Sequence, residues 1–121
     1  MTFQETQINN LYFYRAIVVS VYDGDTCRVD LDLGFGIWKK REKIRLARMN
    51  APELKGSTLT AGRQSRDTLR HFILNQHIIL ETIKDRKGKY GRYLGEIWLK
   101  KNGQWLNIND EMVKLGMAKK Y

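Results

Sequence analysis

The chain has one cysteine, one proline and two histidines among its 121 residues. A single cysteine, Cys27, excludes an intrachain disulfide. No CxxC occurs and the histidines, His71 and His77, have no partner at ligand spacing, which argues against a zinc site. Long apolar runs are absent too. The run AIVVSV near the start is far short of the roughly 20 residues that a membrane-spanning helix needs. The opening MTFQETQINN lacks a basic stretch followed by an apolar one, so no secretory leader is visible and a cytoplasmic location is expected of the sequence as it stands; a preceding leader would make it secreted. Acid is scarce: 13 Asp and Glu face 22 Lys and Arg, a net charge of +9. That balance points to a polyanionic partner, nucleic acid before an anionic membrane surface. No obligatory protein partner is inferred.

What is present suits a single domain over residues 1–121. With 42% hydrophobic residues the chain can bury a core without covalent staples. LYFYRAIVVSV at 11–21 reads as a strand and the YDGDT after it as a turn. In TCRVDLDL, Cys27, Val29, Leu31 and Leu33 alternate with Arg28, Asp30 and Asp32, which predicts a strand with the first set inward and makes Cys27 a small core residue. GFG at 34–36 turns the chain into a returning strand, IWKKREKIRLARM, charged in its first half. Ala61, Ser65, Thr68, Leu69, Phe72 and Ile73 recur at helical spacing behind a cap at Ser57 or Thr58. HIILETI, YLGEIWLK and QWLNI are further strands, the last two joined by Asn102-Gly103, a hairpin signal. NDEMVKLGMA closes as a short helix with Asn109 or Asp110 as cap and Gly116 as stop. This order predicts an α+β, mainly β fold: a five-stranded OB-fold barrel carrying two or three helices, with a generic α+β sheet as the alternative.

Four stretches carry chemistry. DGDT supplies Asp23 and Asp25, RLARMNAPE supplies Arg45, Asn50 and Glu53, GKYGR supplies Lys89, Tyr90 and Arg92, and KKREKIR and KDRKGKYGR supply dense positive charge. Each alone is weak, since Asp-Gly-Asp is ordinary turn chemistry and charge runs are ordinarily solvated faces. Together they suit phosphodiester cleavage. Arginine forks grip phosphate oxygens, and carboxylate and amide oxygens suit a hard cation such as calcium. A glutamate can take a proton from an attacking water. The lone Pro52 fixes one dihedral and bars helix at Ala51, which holds the Ala51 carbonyl and Glu53 in one geometry.

At these residues, and in the same order along nearly the whole chain, the sequence resembles the staphylococcal (thermo)nuclease-like domains: VYDGDTCRV, IRLARMNAPE, KYGRYLGEIW and MVKLGMA. The resemblance implies an OB-fold and calcium-dependent hydrolysis of DNA and/or RNA. It implies Arg45 and Arg92 as phosphate-gripping arginines and Glu53 as general base. Asp25, Asn50 and the Ala51 backbone carbonyl fall at its metal site, and Lys89 and Tyr90 at its substrate-phosphate contacts. Three features depart from the pattern. Asn50 is neutral where the family carries a second metal-binding aspartate, Arg48 stands where an apolar core residue is expected, and the 27–43 hairpin is long and rich in lysine. The family's usual last helix is expected to be missing or much reduced after GMAKKY. The alternatives are a nuclease-like barrel that grips nucleic acid without cutting it, and a basic OB-fold that binds single strands by stacking. Retention of Arg45, Glu53 and Arg92 together argues for the enzyme.

Overall fold

The computed structural model describes residues 12–87 and 91–121, the side chains of 83–87 excepted. Its elements follow the expected order. Strands β1 (Phe13–Asp23), β2 (Thr26–Asp32) and β3 (Trp38–Leu46) form an antiparallel meander. A short β4 (Met49–Asn50) and one turn of 3₁₀ helix (Gly56–Thr58) lead into α1 (Leu59–Ile73). Then come β5 (His77–Lys87), β6 (Tyr93–Lys101), β7 (Gln104–Asn107), α2 (Ile108–Lys114) and β8 (Lys119–Lys120).

The sheet order β3-β2-β1-β5-β6-β7 closes on itself through a parallel β3–β6 pairing, Ile44 opposite Tyr93 through Leu46 opposite Gly95. The result is a closed five-stranded mixed barrel of β1, β2, β3, β5 and β6 with two α-helices packed on it, the OB-fold class. Alternation puts Val18, Val29, Ile44, Leu46, Leu80 and Ile97 inside, all fully buried, with Leu69 and Ile73 of α1 and Ile108 and Met112 of α2 closing the ends. Each such side chain contributes about 1.5–3 kcal/mol of burial. No described helix is long and apolar enough to cross a membrane.

Cys27 is fully buried as expected, and burial, reinforced by the charge of Asp23, pushes its thiol up to about 12. Leu33, by contrast, is 43% exposed: the inward alternation ends with β2 at Asp32, and Leu33 belongs to the turn, where its amide donates to the Ile37 carbonyl. The Asn102-Gly103 hairpin forms with both residues at positive φ, 53° and 79°.

Three helix details differ from expectation. Gly62, not Ala61, joins Ser65, Leu69 and Ile73 on the buried face of α1. A Cβ at Gly62 would stand 2.6 Å from the Glu53 carbonyl oxygen, so only glycine lets the helix approach that loop. Thr58 occupies the N-cap position, but its hydroxyl caps nothing and donates instead to the carbonyls of Glu53 (2.8 Å) and Lys55 (2.9 Å). The cap of α2 is Asn107, whose side chain accepts from the Asp110 amide. Asn109 is buried and serves the barrel instead. It accepts from the Ile97 amide and donates to the Ala47 and Gly95 carbonyls at 2.9–3.0 Å, which ties α2 to β6 and to the end of β3.

Arg48 neither enters the core nor lines a cleft around Asp25. It sits at φ 66°, exposed, with a bidentate pair to Glu96 (2.9 and 2.6 Å) and a contact to Asp110 at 2.8 Å. The hydrogen bonds to Glu96 and Asp110 raise its pKa still further. It fastens the β3–β4 turn to β6 and α2.

Candidate active site

The DGDT turn joins β1 to β2. The Asp23 carboxylate accepts the Asp25 amide at 3.1 Å, a local turn bond. Gly24 is packed against α1 and the Ala51 loop: a Cβ there would stand 1.8 Å from Ser65 Oγ and 2.8 Å from Ala51 Cβ. Glycine at 24 thereby lets three segments meet and aims Asp25 at the β4 loop.

Asp25 is buried, and its two oxygens are differently employed. Oδ1 accepts from the Thr26 hydroxyl at 3.1 Å; Oδ2 accepts from the Ala51 amide at 2.9 Å and lies 3.4 Å from Arg45 Nη2. Across the β2–β3 ladder Thr26 stands opposite Arg45. The Arg45 guanidinium folds onto its own loop. Nη1 donates to the carbonyls of Leu46 (2.6 Å) and Met49 (3.0 Å), and Nη2 donates to Asn50 Oδ1. Arg45 thus bridges the side-chain oxygens of Asp25 and Asn50 with one cationic nitrogen. Arg92, just ahead of β6, reaches in from the far side, where Nη1 donates to the Thr26 hydroxyl at 3.3 Å.

Burial and the neighbouring charge of Asp25 push the Asp23 carboxyl up to about 6. Two acids this close favour any cation between or beside them. Asp23, Asp25 and Asn50 offer only oxygens, a donor chemistry that fits a hard cation such as calcium. The fit has one condition: Arg45 Nη2 already bridges Asp25 and Asn50, so an ion shared by those two residues would have to displace it. Among the described residues no three of His, Cys, Asp and Glu converge; the set consists of two carboxylates and an amide.

The structure therefore brings together Asp25, Arg45, Asn50, Ala51 and Arg92. Ala51 contributes its amide to Asp25. The Glu53 side chain is 71% exposed and pairs with Lys55 at 3.5 Å rather than with Arg45. Its backbone is nonetheless fixed, by the Thr58 hydroxyl on its carbonyl. Lys89 and Tyr90 lie outside the described residues. One participant is not evident from sequence: Thr26 links Asp25 to Arg92 through one hydroxyl, and nothing local marks it, since its partner is 66 residues away. Asp23, offered by the DGDT stretch but given no role there, is the second acid.

A closed five-stranded barrel carrying two helices, with an acid turn and two arginines meeting beside it, places the chain in the OB-fold class. Comparison with known proteins names the family: the family model described as staphylococcal nuclease homologue matches residues 43–121, and the chain belongs to that family. The matched segment contains Arg45, Asn50, Glu53 and Arg92, while Asp25 precedes it. The chain is 32% identical over 105 residues to a thermonuclease of Staphylococcus hyicus, covering 84% of this chain and 56% of that protein. It is 38% identical over 106 residues to an uncharacterized endonuclease of Haemophilus influenzae, covering 86% and 51%. An uncharacterized protein of Methanocaldococcus jannaschii is 30% identical over 129 residues, covering 89% and 59%. The chain thus spans between half and three-fifths of the length of these relatives.

Proposed function

We propose that the chain is a calcium-dependent nuclease that hydrolyses phosphodiester bonds in DNA, RNA or both. The observation that carries this reading is the meeting of an acid pair with two arginines around Thr26: Asp25 on one side of its hydroxyl, Arg92 on the other, and Arg45 across the ladder. Membership of the nuclease family and the thermonuclease and endonuclease named among its relatives support it.

Asp25 and Asn50, with Asp23 beside them and the Ala51 carbonyl, would hold the ion. Bound calcium supplies positive charge to a phosphoryl oxygen and to the water near it. The protein's own work is to place cations where negative charge develops. Arg92 donates to a non-bridging phosphate oxygen from its position on Thr26. Arg45 does so once its grip on Asn50 and Asp25 is relaxed, its fork being suited to two oxygens at once. Glu53, held by its backbone and exposed at its carboxylate, turns inward to accept the proton of the attacking water. Lys89 and Tyr90 add contacts to the substrate phosphate.

The second reading, a nuclease-like module that binds nucleic acid without cutting, is favoured by one observation: both terminal nitrogens of Arg45 are engaged with Leu46, Met49, Asn50 and Asp25. Incubation with single-stranded DNA and with RNA in millimolar calcium separates the two readings. Degradation that stops on adding chelator supports the enzyme. Retention of intact nucleic acid in calcium, magnesium and manganese supports the module.

A further inference from the structure

Arg28 and Lys43 stand directly opposite one another in the β2–β3 ladder, two residues along from Thr26 and Arg45. Alternate residues of a strand share a face, and so do cross-strand partners. All four side chains therefore stand on one side of the ribbon, Arg28 and Lys43 about 7 Å beyond the site. Facing them across a gap, α1 presents Arg66 and Arg70, one turn apart on one stripe of the helix. These four cations and Arg92 line a single cleft of about 840 Å³, floored by Val21 and Cys27.

The charge balance of that cleft is one-sided. Asp23 is the acid lining it, at the end that joins the site. Asp67 lies behind, 3.0 Å from Arg66 and 3.8 Å from Arg70. Like charges directly opposite in a ladder are unfavourable, and so are like charges four apart on a helix. Here two such pairs from different elements line one groove, and the single Asp67 carboxylate offsets only the pair on α1. Such an arrangement opposes folding and is offset by a ligand that carries repeated negative charge. The Arg28 Nη1 donates to the Arg41 carbonyl at 2.9 Å, a backbone group that carries no net charge, and the Arg70 guanidinium is held by the Val21 carbonyl at 3.1 Å together with Asp67. A cleft of this size falls within the range of small-ligand sites.

We propose that this cleft is a phosphate track distinct from the reacting site: Arg28, Lys43, Arg66 and Arg70 hold the sugar-phosphate backbone of a single polynucleotide strand one or more phosphates away from the one gripped by Arg92. The proposal rests on the nucleic-acid reading of the site but not on hydrolysis. The track needs no metal, and it makes affinity depend on chain length.

The test is fluorescence anisotropy with labelled octathymidylate and dithymidylate, in chelator, between about 50 and 200 mM salt. The intact protein is compared with Arg28→Gln/Lys43→Gln/Arg66→Gln and with a charge-matched control, Lys100→Gln/Lys101→Gln/Lys114→Gln, whose residues line no part of the cleft. The track predicts that the intact protein prefers the octamer. The cleft variant loses that preference, with octamer binding weakened about tenfold or more and the salt slope reduced by about 2, at about 0.7 per phosphate contact. The control variant keeps the octamer preference. Melting temperatures no lower than that of the intact protein show that the variants are folded. Equal loss in the two variants, or no octamer binding by the intact protein, overturns the track. If calcium-dependent degradation is seen and the two variants behave alike, the hydrolytic reading stands and the track falls. If the cleft variant alone loses the octamer and no degradation is seen, the track stands and the hydrolytic reading falls.

Discussion

Asn50→Asp places a charge at the point where the proposed metal site departs from the family pattern. Asn50 Oδ1 is already bonded to Arg45 Nη2, which also lies 3.4 Å from Asp25 Oδ2. A carboxylate at 50 would therefore have two suitors, an incoming calcium ion and the resident guanidinium. Position 50 is exposed, so the dielectric of water is the right limit. An ion of two charges about 4 Å from one new negative charge gains about 2 kcal/mol there. The new pair with Arg45 has one exposed partner, position 50, and one largely shielded partner; at about 1 kcal/mol it works against release of the guanidinium. The balance is about 1 kcal/mol or slightly more, which is about five- to tenfold tighter calcium binding. Titration calorimetry of Asn50→Asp at neutral pH and low salt measures it. The double variant Arg45→Ala/Asn50→Asp removes the competitor and should bind calcium more tightly than the single one. An unchanged dissociation constant in both variants would refute this reasoning, because position 50 then makes no contact with the ion.

Further outcomes are expected from the same geometry. Arg92→Ala should lower turnover by about 10²–10³-fold, the cost of one transition-state donor, with little change in melting temperature. Arg45→Ala should lose comparable turnover but also some stability, since it leaves the Leu46 and Met49 carbonyls without that donor; parallel melting and kinetic measurements separate the two losses. Asn109→Ala strands the Ile97 amide and the Ala47 and Gly95 carbonyls in the interior, and chemical denaturation should show a loss of about 3 kcal/mol or more. Asp23 has a folded pKa of about 6 against an ordinary 3.8, so the folded state holds the extra proton between those values. Its contribution to stability therefore falls as pH rises through that window and stays low above it. In chelator, Asp23→Asn should melt higher than the intact protein at neutral pH, by an amount on the order of 1 kcal/mol once solvent around the half-buried carboxylate is allowed for. The advantage should vanish below about pH 4, and an advantage that grew on acidification would contradict the assignment.

The barrel is legible in the sequence because its signals are local. Val29 and Leu31 alternate with charge, Asn102-Gly103 marks a hairpin, and Ser65, Leu69 and Ile73 keep helical period. What escapes depends on partners far along the chain. Arg48 reads as an intruder in an apolar pattern, and only the fold brings it to Glu96 and Asp110. Gly62 displaces Ala61 from the buried face because of a single carbonyl at Glu53. Asn109 has the right chemistry for a helix cap but is drawn inward by three backbone groups of the barrel, leaving the cap to Asn107. Within the site, the arginines and acids are visible as residue types in order. That Arg45 turns onto its own loop, and Glu53 toward Lys55, is not, because both are choices among rotamers that sequence does not record.

The proposed chemistry requires that an ion at the Asp25 turn and the Arg92 guanidinium act on the same phosphate. The most direct measurement follows cleavage of a labelled single-stranded oligonucleotide by the intact protein and by Arg92→Ala, each with calcium and with chelator. Cleavage by the intact protein is expected in calcium and none in chelator, with cleavage by the folded variant in calcium at least about a hundredfold slower. Equal rates with calcium and chelator, or equal rates with and without Arg92, would contradict it.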